Sequence, residues 1–444
     1  MQVILGVIFH FIGGFASGSF YMPYKKVRGW AWESYWIIGG LFSWLIVPPL
    51  AAWLTIPHFS EIIANTGGST LFYTFLFGLL WGVGGLTYGL GVRYLGVALG
   101  SSIILGLCMI FGSLIPSIYY QFFPEQGKDT IGMITGNQWG LFVLGGLSIC
   151  TIGIILCGKA GMMKEKELKD NTPSAGPGRT VKERAPEPVA EEAAVAGIGY
   201  RHEAYDEIVA EPKTATASAH GTPSTSTEFK FALGLTVAII SGVLSACFNF
   251  GLEAGKSMAT VANDIWVNAN PGQGEFLFRN NVIYVVLLWG GLTTNFIWCM
   301  ILNARNKTFG DYSNKKTPLL KNYLLSALAG TTWFLQFFFY GMGESRLGNG
   351  ASSWILHMSF IILVANMWGL ISKEWKGVST KTRTMLFVGV ATVIAAVGVV
   401  GFGNYLKEKQ EKEQKEKIGQ EQTDKMNVLP LNFKLNKSYG YLKP

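Results

Sequence analysis

Two histidines stand inside long apolar runs, His10 within 3–22 and His357 within 351–371. An ionisable group in such a run is costly to place in hydrocarbon and by default marks a pathway or a site. Histidine changes charge near physiological pH, which suits it to taking up and releasing a proton. Counted from the outer ends of their runs, both lie roughly 10 Å deep at about 1.5 Å per residue. A pair facing one cavity is open to them; a neutral histidine bridging helices by hydrogen bonds is the plain alternative. Uncharged polar side chains fall at comparable positions: Asn249, Asn295, Gln336, Tyr340 and Asn366. Amides and phenols are the donors and acceptors that a sugar hydroxyl needs. Each would serve equally as an interhelical hydrogen bond worth about 1 kcal/mol. Glu33, Glu253 and Glu344 sit at run ends, where solvation, or pairing with Lys256 or Arg346, is expected. Glu253 is the best placed of the three to carry a proton.

Other chemistries find no footing. The sequence has no Walker loop, G-x-S-x-G or H-E-x-x-H, so enzyme function is not expected. All five cysteines (Cys108, Cys150, Cys157, Cys247 and Cys299) fall in apolar runs without metal-site spacing and read as small packing residues. His202 and His220 lie in a polar stretch and are expected to be solvated. No metal or organic cofactor is called for. With no nucleotide-binding motif, any uphill transport must draw on an ion gradient.

The elements that position these residues follow from composition. Of 444 residues, 49% are hydrophobic and 14% charged, against about 25% charged in an ordinary soluble domain. The charges gather in 159–230 and 405–444. Ten apolar runs remain: 3–22, 35–55, 71–92, 97–120, 138–158, 231–252, 282–302, 321–343, 351–371 and 384–405. Each is about as long as a ~30 Å hydrocarbon core requires, and without water each must satisfy its backbone as helix. The fold class expected is therefore an all-α polytopic membrane protein surrounded by lipid. Pro23, Pro48-Pro49 and Pro116 mark ends or kinks. No basic residue precedes 3–22, and Lys25 is the first positive charge, so this run reads as a retained span. The net charge of +8 does not indicate nucleic acid, because the positive residues sit in short loops beside the runs. Loops 1–2, 3–4, 5–6, 7–8 and 9–10 carry most of the Lys and Arg, which places them in the cytoplasm and both termini outside. The lysines of the tail, KEKQEKEQKEK from Lys407, pull the other way, and its glutamates nearly balance them.

Residues 170–228, rich in Pro, Ala, Glu, Thr and Ser, cannot bury enough apolar surface to offset chain entropy. They divide the chain into a first five-helix unit (1–160), a disordered cytoplasmic linker (161–229) with room for an unknown partner, a second five-helix unit (230–405) and a charged tail (406–444). Residues 407–425 are expected to form a short charged helix. Sliding 78–101 along by 252 positions without a gap gives eight identities in 24: Gly78/Gly330, Trp81/Trp333, Tyr88/Tyr340, Gly89/Gly341, Gly91/Gly343, Leu95/Leu347, Gly96/Gly348 and Ser101/Ser353. Ser17 and Phe20 echo Ser245 and Phe248. An odd number of helices per repeat forces the halves into opposite orientations. This is the inverted design of many secondary transporters, with the site near the midplane. Trp81 and Trp333 fall mid-run, where tryptophan is unusual. They suggest an aromatic platform for a sugar ring, with helix packing as the equal alternative.

The stretches FHFIGGFASGSFYMPYKKVRGWAWESYW, GLLWGVGGLTYGLGVRYLG, TTWFLQFFFYGMGESRLG, SSWILHMSF and KEWKG resemble the bacterial L-rhamnose–proton symporter family of the drug/metabolite transporter superfamily. The closest likeness is to members from the Bacteroidetes, and it covers all ten spans. The resemblance implies ten helices in two inverted five-helix repeats, with L-rhamnose taken up with H⁺ at the inner membrane. On matching positions it draws attention to His10, Gln336, Tyr340 and His357. Together with the residues above, the substrate set is Trp81, Tyr88, Asn249, Trp333, Gln336 and Tyr340. The proton set is His10, His357 and Glu253. The 170–228 insert and the charged tail depart from the family pattern. A metabolite or drug exporter or exchanger of the same superfamily is the competing reading.

Overall fold

The computed structural model describes residues 2–95, 97–125, 127–170, 231–373 and 375–428; residues 171–230, which hold most of the linker expected over 161–229, and the end of the tail, from 429, lie outside the described residues. Those described are helical, with no strand among them. The first run is α1 (Gln2–Ser19), extended by the short α2 (Tyr21–Tyr24). The second is α3 (Trp32–Gly40), a π turn (Leu41–Ile46) and α4 (Val47–Thr55). After α5 (Phe59–Asn65) come α6 (Gly68–Leu95), α7 (Val97–Phe122), α8 (Ile131–Gly136) and α9 (Gln138–Asp170). The later elements are α10 (Phe231–Ala254), α11 (Lys256–Ala269), α12 (Asn281–Asn306), a 3₁₀ turn (Phe309–Ser313), α13 (Leu319–Leu347), α14 (Gly350–Ile371) and α15 (Thr380–Val428).

Among the described residues, nine helices are long and apolar enough to cross a membrane, and they fall on nine of the ten expected runs. The tenth run is α13, 29 residues long. It is not among the nine because Asn322, Ser326, Thr331, Thr332 and Gln336 dilute its apolar content. Two helices outrun expectation. α9 continues past 158 to Asp170, so Lys159, Lys164, Lys166 and Lys169 extend a helix and do not begin a loop. α15 carries the charged tail as a direct continuation over 49 residues, not as a separate helix. Its alternating signs form i,i+4 pairs such as Lys412–Glu408 at 2.6 Å.

The π turn has a cause in the sequence. Pro48 and Pro49 have no N–H, so the carbonyls of Trp44 and Leu45 cannot be capped in the ordinary way. Val47 N instead donates to Phe42 O, and the helix widens for one turn.

Small residues let the helices approach closely. A Cβ built on Gly6 would stand 2.7 Å from Leu347 Cγ, and one on Gly13 would stand 2.8 Å from Gln336 O. α1 thus runs antiparallel to α13. A Cβ on Gly234 would stand 2.8 Å from Leu95 Cγ, and Ser241 Oγ donates to Gly84 O at 2.9 Å, so α10 runs antiparallel to α6. Gly14 abuts Phe360 of α14, and Gly242 abuts Leu107 of α7. Gly78 abuts the Leu287 carbonyl of α12, and Gly330 abuts Gly39 of α3. Gly6, Gly13 and Gly14 stand at the same spacing from Gly234, Ser241 and Gly242 as Ser17 does from Ser245. Leu95 and Leu347 are equated by the internal match. The Gly6–Leu347 and Gly13–Gln336 contacts of α1 with α13 thus have counterparts in Gly234–Leu95 and Ser241–Gly84 of α10 with α6, with the partners exchanged.

Candidate functional site: a histidine pair and an indole cluster

α1 carries His10, α13 carries Tyr340 and α14 carries His357. All three are buried. The ring centroids are 5.3 Å apart for His10 and Tyr340, 5.1 Å for Tyr340 and His357, and 6.1 Å for the two histidines. Gly343 makes room for one ring, since a Cβ there would stand 2.7 Å from His10 Nε2. Gly13 borders the other, 3.4 Å from His357 Cε1. None of the four imidazole nitrogens has a hydrogen-bond partner among the described residues. A histidine that bridges helices structurally bonds through at least one nitrogen, and no such bond is present here among the described residues. Buried polar atoms left unpaired are destabilising and point to a role outside packing.

The carboxylates lie at helix ends and are held. Glu344, buried, accepts from Lys256 Nζ of α11 and from Asn280 Nδ2. Arg346 instead donates to Glu275 O at 3.0 Å. Glu253 accepts from Lys128 Nζ at 2.5 Å and from the Tyr120 hydroxyl at 2.8 Å. Glu33 is removed from solvent and forms no ion pair with a cation among the described residues. It is buried and accepts from Asn306 Nδ2 at 2.9 Å and Thr308 Oγ1 at 2.8 Å, because the loop after α12 folds over the start of α3.

The second cluster is aromatic. Trp81 and Trp333 touch, with centroids 5.7 Å apart and planes at 33°. Trp44, on the π turn, meets both edge-on, at 5.5 Å and 89° to Trp333 and at 6.5 Å and 84° to Trp81. Ring contacts continue without a break from here to the histidines. Trp333 meets Phe337 at 4.9 Å, Phe337 stacks on Phe248 at 4.1 Å, Phe248 faces Trp354 at 6.1 Å, and Trp354 meets Tyr340 at 6.0 Å.

The amides separate into two kinds. Asn249 Nδ2 donates to Gly112 O at 2.6 Å, Asn295 Nδ2 to Gly291 O at 3.0 Å and Asn366 Nδ2 to Ile362 O at 2.8 Å. Gln336, one turn from both Trp333 and Tyr340, has a buried Nε2 with no partner. Tyr88 lies elsewhere, packed with Val92, Leu95, Ile104 and Ala238 in a small apolar cluster. Sequence reasoning missed Trp44, Phe337 and Trp354. Each is one of many aromatic residues in the spans, so residue type alone does not single it out, and the one sign near Trp44 was the Pro48-Pro49 pair. Among the described residues, no group of three or more potential metal ligands is brought together.

Residues 1–173 and 209–405 match the family model described as L-rhamnose-proton symport protein (RhaT). The chain belongs to this family. Proteins named L-rhamnose-proton symporter from Pectobacterium atrosepticum, Yersinia pestis and Yersinia pseudotuberculosis are each 32% identical to it over 406 residues, covering 90% of this chain and 98% of the relative. It is thus a multi-pass membrane protein from a family of symporters, not an enzyme. The match leaves out 174–208 and everything after 405.

Proposed function

We propose that this chain takes up L-rhamnose, or a related 6-deoxyhexose, together with a proton across the bacterial inner membrane by alternating access. The observation that carries the reading is the pair of buried histidines on different helices, in contact through Tyr340, with no ring nitrogen bonded. A proton from the outer solution binds one imidazole nitrogen and leaves to the cytoplasm after the helices rearrange. The exchanged contacts of α1 with α13 and α14, and of α10 with α6 and α7, support two inverted five-helix repeats, 1–160 and 230–405, that rock against each other.

The sugar rests its apolar face on Trp81 and Trp333. At 5.7 Å these indoles already touch, so it lies against them and not between them. Gln336 Nε2 donates to a hydroxyl, and Tyr340 links the sugar to the histidines. Asn249 would have to release Gly112, and Tyr88 to leave its apolar cluster, before either met the sugar. Glu253 would have to part from Lys128 before carrying a proton.

The test is extracellular pH in lightly buffered, de-energised cells expressing the protein, on addition of L-rhamnose and then of other sugars and metabolites. Alkalinisation with L-rhamnose is expected. No pH change with any sugar, in cells that hold the protein in the membrane, overturns symport and favours export or exchange.

A further inference from the structure

We infer that Trp44 orients the sugar, its indole N–H donating to one hydroxyl while Trp81 and Trp333 hold the apolar face. This rests on the uptake reading above. Trp44 is buried, and its Nε1 has no hydrogen-bond partner. Three other indoles of the spans end in bonds: Trp36 Nε1 donates to Asn295 Oδ1 at 3.1 Å, Trp354 Nε1 to Cys108 O at 3.2 Å and Trp368 Nε1 to Ser19 Oγ at 2.8 Å. An indole N–H is a donor only, and burying one unbonded is unfavourable unless a ligand completes it.

The local backbone is shaped to hold this side chain. The π turn Leu41–Ile46 carries it, and such turns recur at functional sites. Gly40 leaves the space the ring occupies, since a Cβ there would stand 2.5 Å from Trp44 Cζ3. Gly291 does the same for the ring of Trp81. Held nearly perpendicular to both platform indoles, Trp44 forms a side wall against them. A sugar on the platform meets a wall that is apolar except for one donor. A site that hydrogen-bonds a hydroxyl rejects the analogue lacking it, because its own polar group is then left unpaired.

The experiment is uptake into proteoliposomes by wild type and Trp44→Phe, with thermal unfolding of both measured first. Competition follows by L-rhamnose analogues that each have one hydroxyl replaced by hydrogen. For wild type, one analogue should compete about tenfold more weakly than L-rhamnose, a loss matching one hydrogen bond. Trp44→Phe keeps an aromatic wall but no donor. Its KM for L-rhamnose should rise about tenfold with maximal rate within twofold, and it should no longer distinguish that analogue. If Trp44→Phe does not fold, Trp44→Leu, which also lacks a donor, should show the same loss of discrimination. An unchanged KM, or a rise that affects every analogue equally, overturns the assignment and leaves Trp44 a packing residue. Failure of wild type itself to take up L-rhamnose would instead strike the uptake reading.

Discussion

His10 and His357, from α1 and α14, stand with ring centroids 6.1 Å apart, and Tyr340 touches both. At an effective dielectric of about 20, two positive imidazoles at this distance would repel by about 3 kcal/mol. Double occupancy is therefore disfavoured, and one proton should move per sugar. The ratio of initial proton and sugar fluxes in proteoliposomes measures this, and a ratio near two would contradict it. His10→Gln and His357→Gln should each lower proton-driven uptake at least tenfold. The variant that has lost the coupling residue should still exchange labelled for unlabelled sugar at near wild-type rate.

Lys256 and Glu344 join α11 to the end of α13 beside this pair. Removing one partner of a buried ion pair leaves an uncompensated charge, which typically destabilises by 3–5 kcal/mol. Lys256→Met should therefore lower the melting temperature of the purified protein strongly. Adding Glu344→Gln should restore much of the loss, because Asn280 still meets a neutral amide. A double variant as unstable as the single one would show that Lys256 acts through packing alone.

Much of this arrangement was legible in the sequence, for physical reasons. Hydrocarbon forbids unpaired backbone and charge, so apolar runs gave nine spans directly, and His10 and His357 stood out against them. The run 321–343 was read as apolar along with the other nine, although the polar residues of α13 leave it outside the nine helices that are apolar enough to cross a membrane. Contacts were not legible. Periodicity does not reveal that Asn249 is tied to Gly112, that Glu33 is roofed by Thr308, or that Trp44 turns toward Trp333. Those depend on how helices distant in sequence come together.

Asp311 caps α3 from outside. The N-cap residue Ala31 has no side-chain acceptor, and Asp311 Oδ2 accepts from Ala31 N at 2.7 Å and Ser34 Oγ at 2.8 Å. Burial pushes its carboxyl above the usual value, outweighing these two bonds, and the charge of Glu33 adds to the rise. With the folded value above the unfolded one, its contribution is whole below about pH 4 and is lost as pH climbs through the raised value. Asp311→Asn keeps an acceptor oxygen and does not ionise. The melting temperature of wild type relative to this variant should fall between pH 4 and pH 7. A difference that rises over this range would contradict the argument.

The matching contacts of α1 with α13 and of α10 with α6 make a sharper test possible. Gly343 and Gly91 are counterparts in the internal match, yet they face different neighbours. A Cβ on Gly343 would stand 2.7–2.9 Å from three atoms of the His10 ring, and that ring is wedged against Tyr340 and His357. A Cβ on Gly91 would stand 3.0 Å from the tip of Ile104 and 3.5–3.6 Å from Ala238 Cα and Cβ, and the end of an isoleucine side chain can yield. Ala238 holds in the later helix the place His10 holds in the earlier one, so the histidine site exists once and its counterpart is apolar. Gly343→Ala should therefore displace His10 and reduce proton-coupled uptake about tenfold or more. Gly91→Ala should leave uptake within about twofold of wild type, with a melting temperature little changed. Equal losses from the two substitutions would mean that both clusters act only as helix packing, and would remove the structural ground for placing proton coupling at His10 and His357.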